Sequence, residues 1–254
     1  DLVILDAATQ LTEPAALGVL RLGKRFVLVG DHKQLAPIVA DPTAELGRSL
    51  FERLWEEPAA AAARVMLARQ YRMREAIAAF SAQRWYEGQL ETDPSAEAQP
   101  PIVPPAPRWP AVWQRGPAVL VEAPSEREGE VVATLVAEAL QAGLAPEQVG
   151  VVAPYRQQVT ALAGQLAQAS LPRAVVVDTV DRFQGSERDC IILATGDPRR
   201  GDLLADERRL NVALTRARRQ LFIVGQASRL MAVPVTAELL QFFRQRGWVV
   251  TLGE

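Results

Sequence analysis

RRLNVALTRARRQLFIVG, residues 208–225, contains a helical apolar pattern that passes directly into a strand-like run. Four apolar residues recur at the spacing of one helical face: Leu210, Ala213, Leu214 and Ala217. That spacing predicts a helix on which Arg209 and Arg216, seven residues apart, share a second face. The apolar run at 221–224 predicts a buried strand that ends at Gly225. Guanidinium groups match phosphate oxygens, so the basic helix favours phosphate recognition, with a solvated basic surface as the alternative.

Two other stretches share a second arrangement, in which a polar loop follows a predicted strand. DTVDRFQGSE, residues 178–187, lies between predicted strands at 175–177 and 190–194. GDHKQLAP, residues 30–37, follows an apolar strand at 26–29. With residues 208–225, these stretches resemble motifs III, V and VI of superfamily 1 helicases, in the same order. The branch that they resemble contains the nonsense-mediated-decay RNA helicase and the DNA replication helicase-nuclease, and the resemblance covers nearly the whole chain.

The resemblance implies an α/β fold, a RecA-like parallel sheet flanked by helices. It assigns residues 1–60 to the C-terminal part of a first RecA-like domain and a hinge, and residues 61–254 to a complete second RecA-like domain. The phosphate-loop pattern Gly-x-x-x-x-Gly-Lys-Ser/Thr occurs nowhere in the sequence. We therefore expect a missing N-terminal segment to carry that loop.

The composition is that of a globular protein with a real core. Hydrophobic residues make up 49% of the 254 residues, and the net charge is −2, so any nucleic-acid path must be a local groove. One cysteine excludes an internal disulfide framework, and we expect Cys190 to be an inert core residue. No apolar run has the length of a membrane span, so we expect a cytoplasmic protein that does not bind a membrane.

Hydrophobic periodicity predicts the remaining elements. The other strands are expected at residues 2–5, 118–122, 148–153 and 248–252. The other helices are expected at residues 11–22, 45–55, 126–142, 154–168 and 238–246. Residues 91–117 contain eight prolines and are expected to hold no regular element, anchored to the core by Trp109 and Trp113. Residues 56–63 are expected to form a surface connection, and residues 197–206 a mobile polar loop.

Asp6 follows the first predicted strand, at a position where α/β folds place ligand chemistry. The resemblance makes it the motif II carboxylate, which would hold Mg²⁺ through the water shell of the ion. The family has Asp-Glu-Ala-Ser/Thr-Gln here, whereas this chain has DAATQ at residues 6–10. Ala7 replaces the general base of the family, and alanine cannot accept a proton. It is either an engineered substitution that traps bound nucleotide or a natural loss of activity.

Further residues are assigned to ATP by the resemblance. Gln34 of motif III would touch the γ-phosphate and sense hydrolysis. Tyr71 and Arg72 belong to VMLARQYRM, residues 65–73, which resembles motif IV. Tyr71 would stack on the base, with a core aromatic as the alternative, while Arg72 and Arg216 would reach the γ-phosphate. Glu187 would meet the ribose, and Gly185 permits a tight turn before it.

A second set is assigned to the nucleic-acid strand. Pro154 and Tyr155 open a predicted helix whose free N–H groups suit a phosphate, although Tyr155 could equally be buried packing. Thr179 would donate its hydroxyl to a strand phosphate. Ala153 stands where the family often has threonine or serine, which weakens one contact.

The resulting functional prediction is the C-terminal part of an ATP-dependent translocase or helicase. By analogy it would move 5′-to-3′ on single-stranded nucleic acid, with DNA favoured over RNA, and would use ATP and Mg²⁺. Alone it would be inactive, because the phosphate loop is absent and the motif II glutamate is Ala7. The alternative is a non-hydrolysing module that binds nucleic acid or a protein.

Overall fold

The computed structural model describes residues 1–39, 47–196 and 205–253, and it forms two compact units, Asp1–Leu67 and Ala68–Glu254. Each unit contains parallel strands with helices packed around them. The predicted α/β class, with a parallel sheet flanked by helices, is confirmed. The assignment of residues 1–60 and 61–254 to two RecA-like domains stays a prediction.

The first unit is built on two parallel strands, β1 (Leu2–Leu5) and β2 (Arg25–Leu28), paired in register from Leu2↔Arg25 to Leu5↔Leu28. A 3₁₀ turn at Ala8–Gln10 and helix α1 (Glu13–Leu20) connect them. Helix α2 (Leu50–Glu56) and a 3₁₀ helix at Pro58–Ala63 complete the unit. A small apolar core joins these elements: Leu5, Ala8, Ala16, Leu20 and Leu50.

Helix α2 begins five residues later than the sequence predicted. Ser49 is its N-cap, and its hydroxyl accepts the Glu52 N–H at 3.1 Å, which fixes the start of the helix at Leu50. The predicted start, Glu45, lies outside the described residues. The run at Pro58–Ala63 has no buried residue, so the expected surface connection is confirmed.

The second unit contains a six-stranded sheet in which every pairing is parallel. Its strands are β5 (Ala118–Glu122), β6 (Val149–Ala153), β7 (Val176–Thr179), β8 (Arg188–Ala194), β9 (Ala217–Gly225) and β10 (Val249–Thr251), in the order β10-β5-β9-β8-β6-β7. Two short parallel strands, β3 (Arg69–Gln70) and β4 (Glu91–Thr92), lie outside that sheet. The central strands are buried along nearly their whole length, as parallel strands covered on both faces are.

The helices of the second unit cover this sheet. They are α3 (Glu75–Trp85), α4 (Pro94–Glu97), α5 (Pro110–Gln114), α6 (Glu128–Gln141), α7 (Arg156–Gln168), α8 (Val180–Phe183), α9 (Glu207–Leu214), α10 (Ala227–Leu230) and α11 (Pro234–Gln245). Helices α6 and α7 contribute to one large apolar core with alternate residues of β5, β6, β8 and β9. Cys190 lies in this core, fully buried, and burial raises the pKa of its thiol, so the predicted inert core role is supported.

The prediction that residues 91–117 hold no regular element is wrong. Helices α4 and α5 lie within this stretch, and each has a proline at its first position, Pro94 and Pro110. A proline is well placed there, because the first N–H of a helix has no partner within the helix and the fixed φ suits the turn. The expected anchoring by Trp109 and Trp113 is confirmed, since both pack against the core.

Two further element boundaries also differ. The helix of the 208–225 stretch ends at Leu214, and Ala217 instead begins β9, where it pairs with Arg188. The terminal helix begins at Pro234 instead of residue 238, and α10 was not predicted. Most of the loop expected at residues 197–206 lies outside the described residues. Within the described ranges, no helix is long and apolar enough to cross a membrane.

Candidate functional site

The six-stranded sheet has two edges where its strands begin or end, called here the amino edge and the carboxyl edge. Glu187 immediately precedes β8, and Arg216 immediately precedes β9, so both lie at the amino edge. Pro154 follows β6, and Thr179 is the last residue of β7, so both lie at the carboxyl edge. The structure therefore separates the residues predicted to bind ATP from those predicted to bind the strand.

Arg216 is a buried residue, only 2% exposed, and hydrogen bonds to protein groups hold its guanidinium. Its Nε donates to the Val212 carbonyl at 2.9 Å, and its Nη2 donates to Thr215 Oγ1 at 2.9 Å. Its Nη1 donates to the Ser186 carbonyl at 3.4 Å. The alternative of a solvated basic surface is wrong for this arginine, because a buried guanidinium is retained only where it is bonded.

Arg209 and Arg216 do not share a helical face, since the helix ends between them. Arg209 instead pairs with Asp206, at 2.6 Å, and with Asp181, at 3.2 Å. Asp206 is the N-cap of α9 and accepts the backbone N–H groups of Arg208 and Arg209. Arg209 therefore ties the start of α9 to α8, whereas Arg216 lies at the amino edge.

Arg72 reaches the same place from a distant part of the sequence. Its Nε bonds Glu187 Oε2, and its Nη1 donates to the Thr215 carbonyl at 3.2 Å. Thr215 therefore binds both arginines, Arg72 through its carbonyl and Arg216 through its hydroxyl. The hydroxyl in turn donates to the Asn211 carbonyl at 2.8 Å, so Thr215 is fixed by the end of α9.

Sequence reasoning missed the charged residues behind Glu187. Arg218 Nη1 lies 3.4 Å from Glu187 Oε1, and Arg218 Nε donates to Asp189 Oδ1 at 2.7 Å. Asp189 is buried, and its other oxygen accepts Gln148 Nε2 at 2.6 Å and lies 3.5 Å from Arg219. A carboxylate directly before the apolar run CIILA of this strand was the available signal, because a charged group that is buried there must be paired.

Gly185 and Tyr71 complete the amino edge. Gly185 has a φ of +78°, a backbone conformation that favours glycine, in the turn that leads to Glu187. Tyr71, beside Arg72, is 64% exposed, so the alternative of a core aromatic is wrong. An exposed ring of this kind can stack on a flat ligand.

The carboxyl edge presents backbone groups and small polar side chains. Tyr155 is the N-cap residue of α7 and is half-buried, while Pro154 before it is buried. Thr179 is 8% exposed, is the N-cap residue of α8 and donates its N–H to Asp178 Oδ1 at 2.8 Å. A strand of five residues such as β6 spans about 16 Å, so these residues are distant from the amino edge.

Glu128 is a carboxylate that the sequence analysis did not single out at this edge. It accepts the Gly196 N–H at 2.8 Å and Gln158 Nε2 at 2.7 Å, which joins the end of β8 to the first turn of α7. Burial raises the pKa of Glu128, while bonds to Gly196 and Gln158 and the nearby charge of Arg229 oppose that rise. The charged form of Glu128 is therefore less favoured here than in water.

In the first unit, the residues predicted to act on ATP follow the ends of β1 and β2. Asp6 is exposed, and one of its oxygens accepts the Ala7 N–H at 2.8 Å. Gln34 Nε2 donates to Asp31 Oδ2 at 2.8 Å, which orients the amide. Ala7 has a φ of 51°, in the left-handed region. Among the described residues, no cluster of His, Cys, Asp and Glu could enclose a metal.

Residues 18–25, GVLRLGKR, match the spacing of a phosphate loop except that arginine replaces the final Ser/Thr. The phosphate loop connects a strand to the helix that follows it. Here the order is reversed, since Gly18 lies in α1 and Arg25 begins β2. A Cβ on Gly23 would lie 2.8 Å from a Val3 methyl, so this turn packs on β1 and cannot cradle phosphates.

Comparison with known proteins identifies a family that this chain matches. Two family models, each described as an AAA domain, match residues 1–42 and 46–228. DNA replication ATP-dependent helicase/nuclease DNA2 of Bos taurus is 33% identical over 291 residues, which cover 99% of this chain and 27% of the relative. Regulator of nonsense transcripts 1 of Dictyostelium discoideum is 33% identical over 280 residues, which cover 98% of this chain and 20% of the relative.

Solved structures show a weaker likeness. The crystal structure of Arterivirus nonstructural protein 10 (helicase) is 17% identical, with a TM-score of 0.49, and covers 92% of this chain and 41% of that chain. The present chain spans 27% of the Bos taurus relative and 20% of the Dictyostelium discoideum relative.

Proposed function

Since this chain belongs to the AAA-domain helicases of superfamily 1, in the branch of the nonsense-mediated-decay helicase and the DNA replication helicase-nuclease, we propose that it forms the C-terminal part of an ATP-dependent helicase. The activity is translocation along single-stranded nucleic acid, 5′-to-3′ by analogy with the family. DNA is favoured over RNA as the bound strand, because several of the relatives that the chain matches are DNA replication helicases.

One observation carries this proposal: Arg72 and Arg216 converge on Thr215. They are 144 positions apart in the sequence, and one is buried, so their meeting is specified by the fold. Two guanidiniums at one edge offer planar donor forks to an anion that carries several oxygens, Arg72 from a partly exposed side chain and Arg216 once it exchanges a protein acceptor for that anion. The γ-phosphate of ATP is such an anion, and charge on its oxygens is what an arginine stabilises during phosphoryl transfer.

The other residues assigned to ATP have separate tasks in this proposal. Tyr71 stacks on the base with its exposed ring, and Glu187 accepts from the ribose. Asp6 would hold Mg²⁺ through water, and Gln34, oriented by Asp31, would contact the γ-phosphate. Bound Mg²⁺ and ATP supply the transferable phosphoryl group and the neutralisation of its charge. What this chain lacks is a proton acceptor at Ala7 for the attacking water.

The proposed helicase also needs a phosphate loop, which the 254 residues do not contain. The apolar strands of the first unit support a further segment packing on them. Ile4 of β1 is 62% exposed, and Phe26 and Val27 of β2 are about half exposed. Parallel strands are normally covered on both faces. We infer that the segment with the phosphate loop covers these strands.

Strand binding is proposed for the carboxyl edge. The first turn of α7, after Pro154 and Tyr155, offers backbone N–H groups that suit a phosphate oxygen. Thr179 offers a hydroxyl at the neighbouring strand end. These groups contact the backbone of a strand and do not read bases, so binding would be tolerant of sequence and sensitive to salt.

Ala7 favours a second candidate function, a module that binds nucleic acid or a protein without hydrolysis. The two functions differ in what a glutamate at this position restores. Ala7 already occupies the left-handed region, a conformation that costs any residue with a Cβ about 1 kcal/mol. Glutamate therefore adds a proton acceptor without a new backbone cost.

The experiment compares three residues at position 7 in a protein that joins a phosphate-loop segment to this chain. With Ala7, a fluorescent ATP analogue should bind, while phosphate release stays at background. Ala7→Glu should raise strand-stimulated turnover by roughly 10²-fold or more, the usual worth of a positioned base. Ala7→Gly is the matched control, because it relieves the backbone without adding a base, and it should stay inactive. Turnover that is unchanged by Ala7→Glu would refute the roles given to Asp6 and Ala7 and favour the second candidate.

A further inference from the structure

Arg218 is a charged residue at the amino edge that has no task in the proposed function. Its Nε donates to Asp189 Oδ1 at 2.7 Å, and its Nη2 lies 2.5 Å from the same oxygen. The Asp189 side chain is 4% exposed and is also held by Gln148. A buried carboxylate is costly to leave unpaired, so this contact fixes Arg218 to the sheet.

Glu187 divides its two oxygens between two cations. Oε2 bonds Arg72 Nε, and Oε1 lies 3.4 Å from Arg218 Nη1. Because the oxygens are different, Arg72 can depart without disturbing the contact to Arg218. Glu187 and Arg218 are each 37% exposed, so neither contact is strong enough to prevent exchange.

Arg72 can move its guanidinium while its backbone stays in place. The Arg72 N–H donates to Gln70 Oε1 at 2.9 Å, and the Arg74 N–H donates to the Arg218 carbonyl at 3.1 Å. The segment that carries Arg72 is therefore attached to β9 at Arg218 itself. Only the side chain needs to turn to exchange Glu187 for another anion.

We propose that Arg218 is a positioning residue, which keeps Glu187 paired when Arg72 leaves it for a phosphate of ATP. The inference rests on the proposed function and deepens it. Without Arg218, departure of Arg72 would leave an unpaired carboxylate beside an arriving polyanion, and like charges repel. With Arg218, the exchange costs less, and Glu187 stays in place to meet the ribose.

The test measures equilibrium affinity for a fluorescent ATP analogue in the protein that joins the phosphate-loop segment to this chain. Ala7 is retained, so that binding is not followed by turnover. Arg218→Gln is made in two backgrounds, one with Arg72 and one with Arg72→Ala. It should weaken ATP binding about two- to fivefold where Arg72 is present, the range that a partly exposed ion pair supplies. The additional loss should vanish in the Arg72→Ala background, where no cation has to leave Glu187.

Arg219→Gln is the matched control for charge and for Asp189. It removes one positive charge from the next position of β9, together with a 3.5 Å contact to Asp189. Arg219 otherwise bonds the Pro100 carbonyl, so its loss should affect ATP affinity equally in both backgrounds.

Arg218→Lys serves as a second variant if Arg218→Gln does not fold, since it leaves Asp189 a cation. Lysine lacks the fork that reaches two carboxylates, so it should weaken ATP binding in the same direction and by less.

The outcomes separate this inference from the function on which it rests. Equal weakening by Arg218→Gln in both backgrounds would mean a structural or purely electrostatic role and would overturn the inference. No weakening in either background would overturn it as well, and both results leave the proposed function standing. ATP affinity that is unaltered by Arg72→Ala alone would overturn the role of Arg72 and the inference together.

Discussion

The amino edge and the carboxyl edge of the six-stranded sheet differ in the groups that bond their charged side chains. At the amino edge, Arg72 and Arg218 pair with the carboxylate of Glu187, and Arg216 donates to the carbonyl of Ser186, the residue before it. At the carboxyl edge, Tyr155 and Thr179 stand at helix starts, and the carboxylate of Glu128 is turned to backbone and amide donors. Both edges are made by the same strands, so the difference lies in the residues that precede and follow them.

Under the proposed function, this difference corresponds to two kinds of anion recognition. Fixed guanidiniums at the amino edge suit a compact, highly charged group, whose charge they can stabilise as it changes. The N–H groups of a helix start and a hydroxyl at the carboxyl edge suit a row of single phosphates that must be released as a motor moves. A single sheet would thereby place hydrolysis and strand contact about one strand length apart.

The largest effect is expected from Arg216. In the protein that carries a phosphate loop and Ala7→Glu, Arg216→Ala should lower turnover about 10³-fold or more, the usual worth of an arginine on the transferred phosphate. Affinity for a single strand without nucleotide should stay nearly intact, because Arg216 belongs to the amino edge. Phosphate release and fluorescence anisotropy of a labelled strand measure the two quantities.

Two further variants make that result specific. Arg216→Lys should also fail to support turnover, because a point charge cannot keep the bonds to Val212, Thr215 and Ser186. Arg244→Ala removes an arginine from the end of α11, where it pairs only loosely with Glu122 at 3.8 Å, and should leave both quantities unchanged. Loss of strand affinity with little change in turnover would show that the two edges do not divide the work in this way.

The sequence predicts a structural feature correctly where neighbouring residues alone determine it, and less well where distant parts of the chain do. The strand at 118–122 has the predicted bounds, because a continuous apolar run buried on both faces needs no partner to be recognised. Arg216 was placed on a helix because the apolar period continues to Ala217. Pairing of Ala217 with Arg188 ends the helix earlier, and that pairing joins distant parts of the chain.

The candidate site follows the same division. Motif resemblance marked Arg72, Glu187 and Arg216, because each belongs to a recognisable local pattern. It did not mark Thr215 as the residue that joins two of them, nor Arg218 and Asp189 behind the third. Those roles exist only once β8 and β9 lie side by side, so spacing within the sequence cannot reveal them.

A smaller effect is expected at the carboxyl edge. Tyr155→Ala should weaken single-strand affinity about tenfold, if the ring stacks on a base as aromatic side chains do in strand-binding proteins. Turnover at saturating strand concentration should change little. Tyr71→Ala is the matched control, since it removes an exposed tyrosine from the amino edge and should weaken ATP and not the strand. The opposite pattern for the two tyrosines would exchange the functions of the edges.

The smallest effect concerns Glu128 and the stability of the carboxyl edge. Its raised pKa means that the folded state binds the proton more tightly than the unfolded state does. The free energy of unfolding should therefore fall as pH rises from the ordinary glutamate value of 4.5 through the higher folded pKa, by at most about 1.4 kcal/mol per pH unit. Glu128→Gln has no such proton and should lose this slope, whereas Glu126→Gln, an exposed carboxylate two residues earlier, should keep it. Urea unfolding at several pH values measures the slope. Equal slopes for the wild type and Glu128→Gln would mean that Gly196, Gln158 and Arg229 fully offset the effect of burial on the pKa of Glu128. In that case neither edge of the sheet would destabilise its charged side chains.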